Sequence, residues 1–216
     1  MLIKTKKYIR DHLQYPPQFL RNTVKKLIGR WRAARLAEAL EDIRLDLGCG
    51  ATSRNGFIGI DMNTQADLQW DVRWGLPFAS ATASEIRSDH FFEHLTLKEV
   101  VETFRECRRV MKPGAILDFT IPHFDPYLDA YIRRDLGFLQ SKINDVPVGD
   151  EYLYNKSFDL ISWLLHRQGE HKSMFDRDSI IAKLEVAGFT DVKTRQFDPQ
   201  RDTNCRYSSV YVVAIK

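Results

Sequence analysis

Residues 45–61 read LDLGCGATSRNGFIGID. An apolar run carrying Asp46 leads into Gly48-Cys49-Gly50, and a second apolar run ends on the acid Asp61. Glycines after a strand let the backbone approach a ligand and take conformations closed to other residues. An acid at the end of the following strand can accept hydrogen bonds from both ribose hydroxyls. Only ten residues separate Gly50 from Asp61, too few for the usual crossover helix. Position 53 is Ser, so the dinucleotide pattern Gly-x-Gly-x-x-Gly fails, and no Gly-x-x-x-x-Gly-Lys-Ser/Thr loop occurs in the chain. A pyrophosphate normally rests on a helix N-terminus. Without that helix the pattern favours a nucleoside lacking phosphates over NAD.

Outward from this stretch, the apolar periodicity predicts short strands at IRLDLG (43–48), FIGID (57–61), ADLQWDV (66–72), SEIRSDH (84–90) and AILDFTIP (115–122), with two closing strands at 189–197 and 208–216. A helix follows Thr96, where Thr96 and Glu99 form a capping box, and it stops at Pro113-Gly114. A second capped helix covers 176–188. Residues 1–22 read as irregular up to the Pro16-Pro17 stop. Residues 22–41 read as an amphipathic helix in which Val24, Leu27, Ile28, Trp31, Ala34, Leu36 and Leu40 roughly fit an apolar stripe. Strands alternating with helices imply an open, mostly parallel sheet covered on both faces, with the last two strands free to pair antiparallel. In such sheets the ligand sits at the carboxyl ends of the strands. The residues there are Gly48 to Gly50, Asp61, Asp71-Val72, Ser88-Asp89-His90 and Pro122-His123-Phe124-Asp125.

The 216 residues suit one domain with an extension, and 44% apolar residues suffice for a core. Neither a membrane span nor an apolar leader is evident. Three scattered cysteines, Cys49, Cys107 and Cys205, show neither disulfide nor zinc spacing, so a reducing cytoplasm is the expected compartment. The net charge of +3 is uneven: eleven Lys and Arg against four acids leave residues 1–44 at +7, and the remainder at −4. A basic arm on a slightly acidic body points to a peripheral membrane surface or another anionic contact, or else to a solvated helix face. The domain division is then a basic helical extension, 1–42, and a main domain, 43–216.

The ordered set LDLGCG, GID, the strand end at Asp71, GLPF, SDHFFEHL, ECRRVMKPGAIL and MFDRDSIIAKLEVAGF resembles class I S-adenosylmethionine-dependent methyltransferases of the type 11 branch, over about residues 43–216. The subgroup with a very short first crossover, often tied to polysaccharide biosynthesis, is the most similar. The resemblance implies a Rossmann-like, doubly wound sheet of seven strands with the last one antiparallel. It implies S-adenosylmethionine as cofactor, with Gly48 and Gly50 along the methionine and ribose, Asp61 at the ribose hydroxyls, Asp71 with the Val72 amide at the adenine, and Cys49 and Met62 among the cofactor-binding residues. Ser88, Asp89 and His90 would close near the sulfonium, and Asp46 would order the loop from beneath. The third family glycine, at the place of Thr52, and the helix after it are missing, so the helix at 22–41 is expected to fill the space.

Methyl transfer to a hydroxyl needs in-line positioning and removal of a proton. His123, after the fifth strand, is the first candidate base, and His94 the second. The aromatic insert 124–172 suits a lid stacking on a sugar-like acceptor, or alternatively a local packing unit or a dimer surface. His166 and His171 have no metal-site spacing, so no metal is assigned. Two rivals stay open. A nucleic-acid methyltransferase is disfavoured by the acidic body and by SDHF standing where an Asn/Asp-Pro-Pro-Tyr/Phe motif would be. A non-catalytic binding module is the other. A small-molecule acceptor, in the carbohydrate class, is the expected substrate, and an oligomer is compatible with the sequence.

Overall fold

The computed structural model describes residues 18–142, 154–202 and 209–216. The Pro16-Pro17 stop, part of the aromatic insert including Tyr152, and Cys205 lie outside the described residues. In chain order the elements are α1 (Gln18–Glu38), β1 (Ile43–Leu47), β2 (Ile58–Asp61), β3 (Leu68–Gln69), β4 (Ala83–Asp89), α2 (Leu97–Val110), β5 (Met111–Pro122), α3 (Asp125–Ile132), α4 (Leu136–Gln140), α5 (Ser157–His166), α6 (Arg177–Val186), β6 (Asp191–Arg195) and β7 (Ser209–Ile215).

The strands form one sheet in the order β3-β2-β1-β4-β5-β7-β6. Neighbours from β3 through β5 are parallel, and β7 runs antiparallel to both β5 and β6. The inner strands carry buried apolar residues, such as Leu45 and Leu47 in β1 and Ile60 in β2, as two-sided burial requires. Strand order reverses between β1 and β4, so the carboxyl ends of those two strands open a crevice.

Helix α2 turns Val100, Phe104, Cys107 and Val110 onto the sheet at helical spacing. Its capping box, Thr96 with Glu99, is present. Phe104 meets Phe92 and Phe119 at ring separations of 4.6 and 5.5 Å. Helix α6 packs beside α2 and starts on an Asp176–Ser179 capping box. From β1 to β4 the connections are loops and one 3-10 turn, Val72–Trp74, rather than helical crossovers.

The structure corrects four boundaries. Helix α1 covers Gln18–Glu38 rather than 22–41. Strand β3 shrinks to Leu68–Gln69, because the chain turns at Asp71, which caps the 3-10 turn. Strand β6 is confined to Asp191–Arg195. Strand β5 starts at Met111, directly after α2, and carries Pro113-Gly114 inside it at a register shift; Gly114, at φ +77°, supplies the conformation that the irregularity needs.

A larger correction concerns the face that α1 buries. Val24, Leu27, Ile28 and Trp31 stand 53–64% exposed, whereas Gly29 and Ala33 are buried, with Leu36 and Ala37 packed at the edge of the core. The cause is the ring of Trp70, which lies so close that a Cβ at Gly29 would meet it at 2.5 Å. Only a small-residue stripe can approach such a surface. The helix thus sits near β3, where a crossover helix is missing, but seats itself on the opposite face from the one its large apolar residues mark.

The segment after β5 builds a second cluster. Phe124, Tyr127, Ala130, Leu139, Leu160 and Ile161 pack together from α3, α4 and α5.

Candidate functional site

The crevice at the β1 and β4 ends is a cavity of about 1220 Å³. One wall is the β1–β2 loop, with Gly48, Cys49, Gly50, Thr52, Ser53 and Arg54. A second is the end of β4 with the turn after it: Asp89, His90, Glu93 and His94. The insert supplies the third, including Phe124, Tyr127, Leu164, Arg167, Glu170 and His171.

The loop is shaped by backbone freedom. Gly48 has φ +70° and Phe91 lies directly on it, where a Cβ would come within 2.5 Å. Gly50 has φ +66° and donates its N–H to Asp61 Oδ2 at 2.9 Å. Asp61 Oδ1 accepts from Asn63 N at 2.7 Å. Asp61 does not itself line the cavity, but its carboxylate is tied to the glycine turn that does. Beneath the loop, buried Asp46 accepts from the Arg54 backbone at 3.0 Å and pairs with the Arg54 guanidinium. Burial raises the Asp46 carboxyl, and Arg54 opposes that shift. Arg54 is the residue that motif reading missed. Its Nε is buried and has no hydrogen-bond partner among the described residues. No motif position marks it, and only its spacing from Asp46 across the loop hints at it. Burial and the neighbouring Asp46, Asp61 and Asp67 push the Cys49 thiol up to about 12, which favours its protonated form.

Other predicted cofactor residues are placed less directly. Ser88 is buried and donates to Leu47 O at 3.0 Å, so its hydroxyl stitches β4 to β1 instead of lining the cavity. Asp71 is grasped by Arg73 through both oxygens, at 2.8 and 2.6 Å. Despite partial burial, those bonds hold its carboxyl below the usual range. Met62 is 63% exposed, and neither it nor Val72 borders the cavity.

His90 and Arg167, both in the cavity lining, take left-handed backbone conformations, at φ +51° and +38°. The His90 ring is held from two sides. Its Nε2 meets Ser209 Oγ at 3.0 Å and its Nδ1 lies 3.3 Å from Glu93 Oε1. Asp89 accepts from the Thr120 hydroxyl.

The two candidate bases are placed differently. His123 bonds to Asp125 at 2.9 Å and stays outside the cavity wall, because the chain presents Pro122 and Phe124 there. His94 lines the cavity and packs against His171, with ring centroids 5.2 Å apart. Buried Glu93 lies beside both. Burial lowers His171 to about 4, so its ring is neutral near neutral pH. His166 is not part of this cluster.

No protein-family model matches the sequence, and no curated protein sequence matches it. Solved structures do. A SAM-dependent methyltransferase from Archaeoglobus fulgidus is 16% identical over 89% of this chain and 94% of its own, with a TM-score of 0.51. Phosphoethanolamine N-methyltransferase 2 of Haemonchus contortus, solved with phosphomonomethylethanolamine and S-adenosylhomocysteine, is 12% identical over 81% of this chain, with a TM-score of 0.50. This chain spans about half of that one, 48%. At these identities the likeness is one of fold. The seven-stranded sheet with antiparallel β7 is the Rossmann-like fold of these methyltransferases.

Proposed function

We propose that the protein is an S-adenosylmethionine-dependent methyltransferase acting on a hydroxyl of a small, carbohydrate-like acceptor. The observation that carries this reading is the Gly50 N–H held by Asp61, with Gly50 in the wall of the 1220 Å³ cavity: a glycine turn and a ribose-type acid on adjacent strand ends. Gly48 to Gly50 and Asp61 take the ribose and methionine backbone. Arg54, a residue of the cavity wall, takes the methionine carboxylate, its guanidinium being held by Asp46 beneath the loop. The turn at Asp71-Val72 takes the adenine edge through backbone groups, its carboxylate being engaged by Arg73. Asp89 lies where a sulfonium cation gains from a nearby carboxylate.

The cofactor supplies the reactive methyl group, and the protein supplies position and exclusion of water. The wall formed by Phe124 and Tyr127 with Lys142 and Arg167 combines aromatic faces and polar groups, a mixture suited to a sugar ring bearing anionic groups. Calorimetry with S-adenosylhomocysteine tests the cofactor: one site per chain is expected, and no binding at millimolar ligand would sink the enzyme reading. Transfer of labelled methyl to nucleotide sugars and glycolipids, with amines and RNA as comparison acceptors, tests the substrate class.

A further inference from the structure

We propose that Glu93, His94 and His171 form a binding site for a divalent transition-metal ion in the wall of the cavity, where it presents an acceptor hydroxyl for methylation. One ligand atom from each residue lies within 4.8 Å of the others. Ligands around a tetrahedral ion bound at about 2.0–2.1 Å stand roughly 3.3 Å apart, so modest side-chain rotation closes the set. Two polar atoms on these residues have no other employment. Glu93 Oε2 and His171 Nδ1 are buried without a hydrogen-bond partner among the described residues, on side chains 1% and 9% exposed. Polar atoms in such surroundings are normally satisfied.

The surroundings already resemble the outer support of a metal site. His94 Nδ1 lies 3.0 Å from Glu170 O; a carbonyl only accepts, so Nδ1 carries the proton and Nε2 keeps its lone pair. The other oxygen of Glu93 lies 3.3 Å from His90 Nδ1. The Glu93 carbonyl accepts from Lys172 N and Ser173 N at 2.8 and 3.1 Å, which fastens the segment carrying His171 against the turn carrying Glu93. Two imidazoles and one carboxylate suit zinc, cobalt or manganese better than magnesium or calcium.

This inference rests on the methyltransferase reading for its purpose, though not for the site itself. All three residues border the same cavity, so an open coordination position faces the acceptor. A hydroxyl bound there becomes more acidic. Its proton leaves to water in the cavity, an oxygen lone pair forms the new C–O bond, and the C–S electron pair returns to sulfur, giving a neutral thioether.

The test is a titration of chelator-treated protein with Zn²⁺ or Co²⁺, without any cofactor, followed by calorimetry and by the visible d–d bands of cobalt. One ion per chain is expected. Glu93→Gln, nearly isosteric, should weaken binding by more than the roughly 10–100-fold that loss of an outer partner costs, while His166→Ala leaves it unchanged. Absence of stoichiometric binding to folded wild type, or equal binding by Glu93→Gln, overturns the site. S-adenosylhomocysteine calorimetry in chelator separates the two readings: cofactor binding without metal binding overturns only the metal, and the reverse overturns only the methyltransferase.

A different observation carries a second inference. We infer that the outward face of α1 docks on an anionic lipid surface. Val24, Leu27, Ile28 and Trp31 project away from the protein, and exposed Lys25, Arg30, Arg32 and Arg35 accompany them, with Glu38 the only acid in the helix. Arg35 lies over the Trp31 ring at 5.5 Å. An apolar face with Trp and Leu among basic residues is the pattern of a helix lying in a membrane interface, and α1 is not long and apolar enough to cross one. Full-length protein should co-sediment with vesicles containing phosphatidylserine and not with phosphatidylcholine alone, and high salt or Leu27→Ser with Trp31→Ser should abolish binding. No sedimentation, indifference to those substitutions, or a dimer that buries Trp31 would overturn it.

Discussion

Asp61→Asn is expected to weaken S-adenosylhomocysteine binding by about 10–100-fold, the equivalent of roughly 1–3 kcal/mol for lost hydrogen bonds to a charged group. Two effects add. The substituted amide lacks the negative charge that would hold two ribose hydroxyls. It also removes one carboxylate oxygen from the pair now receiving Gly50 N and Asn63 N, so the glycine turn loses its tie to β2. Asp61 is half-buried and outside the main core, so the protein should still melt cooperatively. Calorimetry on folded variant decides the matter, and wild-type affinity would remove Asp61 from the site.

Arg195→Met should cost the fold about 3–5 kcal/mol, the usual result of stripping the partner from a buried charge. Arg195 donates to Asp118 at 2.8 and 3.0 Å and to Asp202 at 2.6 and 2.7 Å. Asp118 is 2% exposed, and without Arg195 it keeps, among the described residues, Arg201 at 3.3 Å. Adding Asp118→Leu should recover part of the loss, because a buried pair replaced as a unit by apolar groups is often nearly neutral. The acid dependence follows in sign. Burial alone would raise Asp202, but its bonds from Arg195 prevail and hold it below the ordinary carboxylate range. That contribution is therefore complete above about pH 4 and fades as acid protonates the group. Urea titrations of wild type and variant should converge at low pH; a difference below about 1 kcal/mol at pH 7 would mean that the network is effectively solvated.

Much of the sheet was legible because β1, β2 and β5 carry short apolar runs bounded by Gly, Asp or Pro, and buried strands write their burial directly into composition. The capping box at Thr96 was legible for a local reason, being made within four residues. What stayed hidden was set by partners distant in sequence. The buried face of α1 depends on Trp70, forty-one positions after Gly29, and no helical periodicity reports that a ring already occupies the space. The role of Ser88 depends on the Leu47 carbonyl. Pro113-Gly114 read as a helix stop, and the helix does stop just before it, but β5 pairs with β4 at Met111 and again from Ile116 on, which leaves both residues inside the strand. At the site, the glycine turn and Asp61 are sequence neighbours and could be read together. His171 reaches Glu93 and His94 only through the fold of the insert, and Arg54 shows its place only once Asp46 is seen beneath it.

The seating of α1 on Gly29 and Ala33 has a consequence for motion. Small side chains remove little apolar area from water, so the helix is held by less free energy than the strands beneath it and belongs to the part of the molecule that opens first. The indole under it is 3% exposed, with its N–H on Gly75 O at 2.7 Å, while Trp31 on the far side of the same helix is 64% exposed. The protein thus carries a built-in optical pair across one helix: detachment of α1 lets a quencher reach Trp70 while Trp31, already accessible, reports nothing new.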